Sequence, residues 1–167
     1  MFGTKDANNY FCFVLTLQPT GLLEPGYHPC SAADLFNCFV KPFASAKRLQ
    51  LFKAWQAYNS RLSLFVGGEK LTQWVDGSFV TNKPNPGDID LVTFLPHYIY
   101  EPIASQLIDY YSTFSLYDNG LDAYICPVYP ESHTLHSLYV DRRQYWEKTF
   151  SSQREYTALK GFLSITL

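Results

Sequence analysis

The chain has 167 residues, with 13 Lys and Arg against 15 Asp and Glu, for a formal net charge of −2. That length suits one domain, read here as 1–167, with a substantial core, and the charge balance lacks the basic footprint of a protein that grips a long duplex. Aromatic residues make up 17% of the chain, including 13 Tyr and 13 Phe, which points to an aromatic core with a protein-facing surface more than to a base-stacking platform.

Phe11 to Leu17 alternates as a strand does. Pro19, Gly21, Pro25, Gly26 and Pro29 then predict a loop. Ser31 has the character of an N-cap, with Asp34 adding charge to the first turn, and Leu35, Phe36, Phe39 and Val40 give a helical stripe that Pro42 ends. A second helix is expected from Ser45 to Leu62, with Leu49, Phe52, Trp55 and Tyr58–Asn59 on its apolar side. Lys47, Arg48, Lys53 and Arg61 fall on the other side, which reads as a solvated face. Strands are expected at Gln73 to Gly77 and at Asp88 to Leu95, followed by a helix from Tyr98 to Phe114. The turn signal Asp118-Asn119-Gly120 leads into a strand from Asp122 to Val128, which Pro127 and Pro130 place at a sheet edge or close to its end. Tyr139 to Phe150 reads as a helix and Leu159 to Leu167 as a last strand. The whole is an α/β (α+β) pattern: a mixed, partly antiparallel sheet flanked by helices.

Cys12, Cys30, Cys38 and Cys126 form no C-x-x-C pair and read as small buried hydrophobes, not as a zinc site or a disulfide framework. His133 and His136 have helix-face spacing, but without a third ligand nearby in sequence they read as polar loop or cap residues. No apolar run reaches the ~18–20 residues of a membrane span. The N-terminus lacks the charged-then-apolar pattern of a signal peptide, so a cytoplasmic location without membrane contact is expected.

The chemistry concentrates in WVDGSFVTNKPNPGDIDLVTF, from Trp74 to Phe94. Gly77 and Ser78 form a turn after a short apolar strand. Glycine lets a ligand approach the main chain closely, and the N–H groups that follow suit a phosphate. Asp88 and Asp90 open the next strand. Side chains on a strand alternate faces, so the two carboxylates share one side while Ile89 and Leu91 take the other. Two like charges so close repel, and a hard cation such as Mg2+ or Mn2+ relieves that cost. In a two-metal site such carboxylates help clamp the attacking and leaving oxygens of a phosphoryl transfer. Lys83, in the Asn82–Gly87 loop, is a charge partner for a triphosphate. The competing reading is that Asp88 merely caps a turn after Gly87.

The segment GSFVTNKPNPGDIDLV resembles the signature of the DNA polymerase β-like nucleotidyltransferases, and most of all their minimal bacterial branch. The resemblance implies a third carboxylate on a neighbouring strand, best matched by Asp122, with Asp109 and Asp118 as competitors. It implies that Asp88 and Asp90 bind both metal ions, that Asp122 holds the catalytic ion and helps deprotonate the acceptor, and that Gly77, Ser78 and Lys83 hold the nucleotide. The implied reaction moves a nucleoside monophosphate from an NTP or dNTP to a hydroxyl on a protein, an RNA end or a short oligonucleotide. Several such relatives belong to toxin–antitoxin or phage-defence gene pairs, which implies a partner protein from a neighbouring gene and leaves an oligomer open. One departure stands out. Minimal relatives carry Arg-Gly a few residues after Gly-Ser, and this chain has Thr81-Asn82-Lys83 there. Arg and Lys are not equivalent phosphate ligands, so the rival reading is a catalytically inactive nucleotide- or protein-binding module on the same fold. Lys160 has two readings, a cation aimed at phosphate and a surface lysine, of which the second is preferred.

Overall fold

The computed structural model describes residues 15–113, 119–152 and 159–167. In chain order the elements are β1 (Gly26–Cys30), α1 (Ala32–Phe39), α2 (Ala46–Val66), β2 (Thr72–Asp76), β3 (Ile89–Pro96), α3 (His97–Thr113), β4 (Leu121–Val128), α4 (His136–Phe150) and β5 (Gly161–Thr166), with short 3-10 turns at Lys41–Phe43 and Ser78–Val80. The strands form one sheet in the order β1-β5-β2-β3-β4. β1 runs parallel to β5, β2 runs antiparallel to both β5 and β3, and β4 runs parallel to β3. The expected mixed α+β sheet is present.

Strand alternation gives the sheet two faces with different cover. Val75, Leu91, Leu163 and Ile165 join Leu35, Phe39, Leu51, Trp55, Tyr58 and Leu107 from α1, α2 and α3 in the main core. Trp74, Val92, Phe94, Cys126 and Phe162 point the other way and pack against Phe150 of α4 in a smaller core. One polar group is buried under the α2 layer. Gln73 accepts from the Trp55 indole at 2.6 Å and donates to Thr93 at 2.8 Å and Asn59 at 3.0 Å, so its amide is satisfied on both sides.

Local signals placed several boundaries. Ser31 caps α1 in a reciprocal capping box with Asp34. Ser45 accepts from the Arg48 N–H at the start of α2. That helix runs a turn beyond Leu62 and stops where Gly67 takes φ +64°. α3 begins at His97 and α4 at His136, each ahead of the expected start.

Other expectations need correction. The Pro- and Gly-rich loop contains β1. This is an edge strand bonded to β5 alone, so Pro29, which has no N–H to donate, is tolerated there. Leu49 is 39% exposed, because α2 is rotated so that Arg48 and Leu51 face the core instead. Of the first expected strand, Phe11–Val14 lie outside the described residues, and Leu17 makes an isolated bridge with Leu23. Cys12, Phe114, Asp118 and the side chain of Asp109 also lie outside them.

Candidate functional site: a carboxylate cluster at one end of the sheet

β2, β3 and β4 each carry an aspartate at the same level. Asp76 on β2 pairs with Asp90 on β3, and Asp90 pairs with Asp122 on β4. Residues opposite one another on neighbouring strands point to the same face, so the three carboxylates form a row on the α4 side of the sheet. Asp88 lies just ahead of β3, which begins at Ile89 and not at Asp88 as expected, and lines the same cavity as Asp90. Asp122, which the sequence offered as a third carboxylate, is thus in register beside Asp90. The Tyr124 hydroxyl lies near the Asp122 carboxylate. Burial first, and then that carboxylate, push the Tyr124 hydroxyl above its ordinary range.

Asp76 was read only as the end of a strand. It is 4% exposed and meets the Lys160 ammonium at 2.7 Å and 2.6 Å through its two oxygens. Lys160 is itself buried, so the surface-lysine reading is corrected. Its backbone N–H donates to the Ser151 carbonyl at 3.0 Å, which anchors the segment before β5 to the end of α4. A buried ammonium needs such a partner, because an unpaired charge there is costly. The pair engages the Asp76 carboxylate, and Asp88, Asp90 and Asp122 supply the other carboxylate oxygens at this end of the sheet.

Gly77 makes the turn at φ +83°, in a region that side chains disfavour. Space requires glycine there as well, since a Cβ at this position would collide with the Asp90 carboxylate. The carboxylate therefore lies directly over the turn. Ser78–Val80 then forms one 3-10 turn, closed by Val80 N–H to Gly77 C=O at 3.3 Å.

Arg48 holds the far side of this loop. The solvated-face reading fails here, since Arg48 is fully buried. Its guanidinium donates to the carbonyls of Phe39 at 2.6 Å, Phe79 at 2.7 Å, Thr81 at 2.8 Å and Lys83 at 3.2 Å. It also lies 3.8 Å from the centre of the Phe43 ring. Burial lowers its pKa to about 10, which still leaves it charged at neutral pH. The loop backbone thus turns its carbonyls inward to one cation. Thr81 adds a hydroxyl that donates to the Ser78 carbonyl at 2.8 Å and accepts from the Lys83 N–H at 3.2 Å.

A cavity of about 480 Å³ opens over this end of the sheet, and Gly77, Ser78, Lys83, Asp88 and Asp90 line it with Asp76 and Lys160. Asp122 stands outside the lining, next to Asp90. Hard oxygen donors beside a glycine turn and two lysines suit Mg2+ or Mn2+ with a phosphate chain. The aspartates are not drawn together as three donors within 4.8 Å of one another, as expected of like charges that repel.

A second cavity, of about 390 Å³, opens on the same face between Trp74, Phe94, Tyr139 and Arg143 and contains none of the aspartates. His133 and His136 sit in the turn before α4 and at its first residue, as polar loop or cap residues, and His133 Nδ1 accepts the Leu135 N–H at 3.1 Å. His136 Nδ1 lies 2.9 Å from the Tyr129 carbonyl, while His133 lies by His97 and Glu101 and not in a pair with His136.

The chain belongs to a family of unknown function, DUF6932, whose model matches residues 15–166. No curated protein and no solved structure matches it. Among the described residues no helix is long and apolar enough to cross a membrane.

Proposed function

We propose that the protein is a metal-dependent nucleotidyltransferase that moves a nucleoside monophosphate from an NTP or dNTP to a hydroxyl acceptor. The observation that carries this reading is the placement of Asp90, with its carboxylate over Gly77 of the Gly-Ser turn and in register beside Asp122. Gly77, Ser78, Lys83, Asp88 and Asp90 line one cavity, with Asp122 beside it.

Asp88, Asp90 and Asp122 would hold the Mg2+ or Mn2+ ions, which neutralise charge on the phosphoryl oxygens and on the attacking hydroxyl. Gly77 and Ser78 would present the turn to the triphosphate, with Lys83 and Lys160 as the nearby cations. The acceptor oxygen bonds to the α-phosphorus as the bond to the β-phosphoryl oxygen breaks. Pyrophosphate leaves with the electron pair, and Asp122 helps take the acceptor proton. Positioning and fixed charge carry most of the rate in such transfers. Arg48 contributes only by fixing the loop that carries Thr81 and Lys83.

The acceptor is a protein, an RNA end or a short oligonucleotide. The net charge of −2, without a basic footprint for a long duplex, favours a protein partner encoded next to it, in a toxin–antitoxin or phage-defence pair acting in the cytoplasm. Thr81-Asn82-Lys83, in place of Arg-Gly, favours a second reading, a nucleotide- or protein-binding module without chemistry.

The test is magnesium-dependent pyrophosphate release from each NTP and dNTP, with the neighbouring gene's product and total RNA as acceptors. Release by the wild type, lost in Asp90→Ala with the fold retained, supports transfer. Nucleotide binding without release under any of these conditions supports the binding module.

A further inference from the structure

The opposite ends of β3 and β4 carry a different set of ligands. His97 follows β3 directly as the first residue of α3, and Glu101 lies one helical turn later on the same helix face. His133 comes from the turn after β4. Because β3 and β4 run parallel in register, their C-terminal ends bring these segments together. His97, Glu101 and His133 each offer one ligand atom within 4.8 Å of the others, the one such trio among the described residues.

Three features distinguish this trio from an ordinary polar cluster. No ion pair of 4.0 Å or less joins Glu101 to either imidazole among the described residues. His97 Nδ1 is buried and has no hydrogen-bond partner, although buried polar atoms normally find one. Tyr129, itself buried, sets its ring 5.6 Å from that of His97 and 4.6 Å from that of His133, centre to centre. A buried ring against both imidazoles restricts their orientation and keeps water from that side, as the apolar shell of a metal site does.

We propose that His97, Glu101 and His133 form a site for a zinc-class divalent ion. Two imidazoles and one carboxylate are the donor set of a zinc site with a fourth position open, and Glu101, on the exposed side, leaves that position towards solvent. Bonds of about 2.0–2.2 Å place tetrahedral ligand atoms about 3.3–3.5 Å apart, so the trio closes by at most about 1.5 Å when the ion enters. His133 Nδ1 now accepts the Leu135 N–H at 3.1 Å. Metal at Nε2 would move the ring proton to Nδ1, and metal at Nδ1 would displace the N–H. Either way that bond opens, and the 133–135 turn is where closure occurs.

This site is independent of the proposed transfer reaction. Asp90 and His97 are seven residues apart along an extended strand, a separation of about 23 Å at 3.3 Å per residue. Its softer donors also select a different ion from the aspartates.

Metal-free protein is titrated with Zn2+ by calorimetry and with Co2+ by visible absorption. The wild type is expected to take one equivalent of either ion, and Co2+ to give the intense bands of low coordination number. His97→Ala/His133→Ala is expected to lose that binding. Glu101→Gln, at an exposed position that tolerates change, loses at least 10–100-fold in affinity. Asp90→Asn binds as the wild type does. Near-ultraviolet circular dichroism establishes that each variant is folded. The proposal is overturned if the wild type binds neither ion, or if Glu101→Gln and the double variant bind as tightly as the wild type.

Discussion

The two ends of the β3–β4 pair are built from the same parallel register but have opposite chemistry. At the N-terminal ends, Asp90 and Asp122 lie side by side, Asp88 precedes them, and a buried Lys160–Asp76 pair stands next in the row. At the C-terminal ends, His97 and His133 meet beside Glu101. The first end has hard oxygens, lysines and a glycine turn, a set suited to Mg2+ and phosphate. The second has imidazoles backed by aromatic rings, a set suited to zinc-class ions. Parallel pairing explains both clusters, because it aligns like ends of two strands whose sequences carry ligands only at their termini. Apolar Val92, Phe94 and Cys126 fill the stretch between, which keeps the two polar clusters apart.

The largest expected effect separates the two ends by activity. Asp90→Ala should lower nucleotide transfer by on the order of 10²–10³-fold or more, the scale on which removal of fixed transition-state charge is felt. Pyrophosphate release measures this, and zinc uptake should be unchanged.

Lys160→Met tests whether the aspartate row depends on its buried cation. Taking the buried ammonium away from the Asp76 carboxylate should cost about 3–5 kcal/mol in a denaturant melt. Adding Asp76→Asn should recover much of the loss, and a double variant as unstable as the single one would break the pairing account. Arg48→Met should cost about 3–5 kcal/mol, because the Phe39 and Phe79 carbonyls are left buried without a donor at about 1–3 kcal/mol each. Arg48→Lys should not restore it, since one ammonium cannot span carbonyls on both sides of the planar fork.

Gly77→Ala is smaller in stability and sharper in function. The positive φ costs about 1–3 kcal/mol, while the new Cβ displaces the Asp90 carboxylate. Transfer should fall more than the melt implies, and a loss of activity matching the loss of folded protein would remove the turn's proposed role. The smallest effect lies at the other end, where Zn2+ should raise the melting temperature of the wild type but not of His97→Ala/His133→Ala, by mass action on the folded state.

What could be read from the chain follows the range of the interactions. Asp88 and Asp90 line one cavity because they are near neighbours in the chain, and Ser31 caps α1 because a capping box spans three residues. The likeness to nucleotidyltransferases singled out Asp122, and the β3–β4 register is what sets it beside Asp90. Asp76 precedes the glycine turn in plain view, but its value depends on a lysine 84 positions away. Arg48 has the spacing of a solvated helix face, and only the inward carbonyls of the 79–83 loop make burial favourable. His133 looked local to His136, whereas its neighbour across the fold is His97, brought there by strand pairing. β1 was hidden by its own prolines, which an edge strand accepts.

The most direct measurement is pyrophosphate release from α-labelled NTPs and dNTPs with Mg2+, run for wild type and Asp90→Ala with the neighbouring gene's product and total RNA. The proposed transferase releases pyrophosphate and leaves label on a macromolecular acceptor only with the wild type. Equal release by both proteins, or none by either while nucleotide still binds, would contradict it.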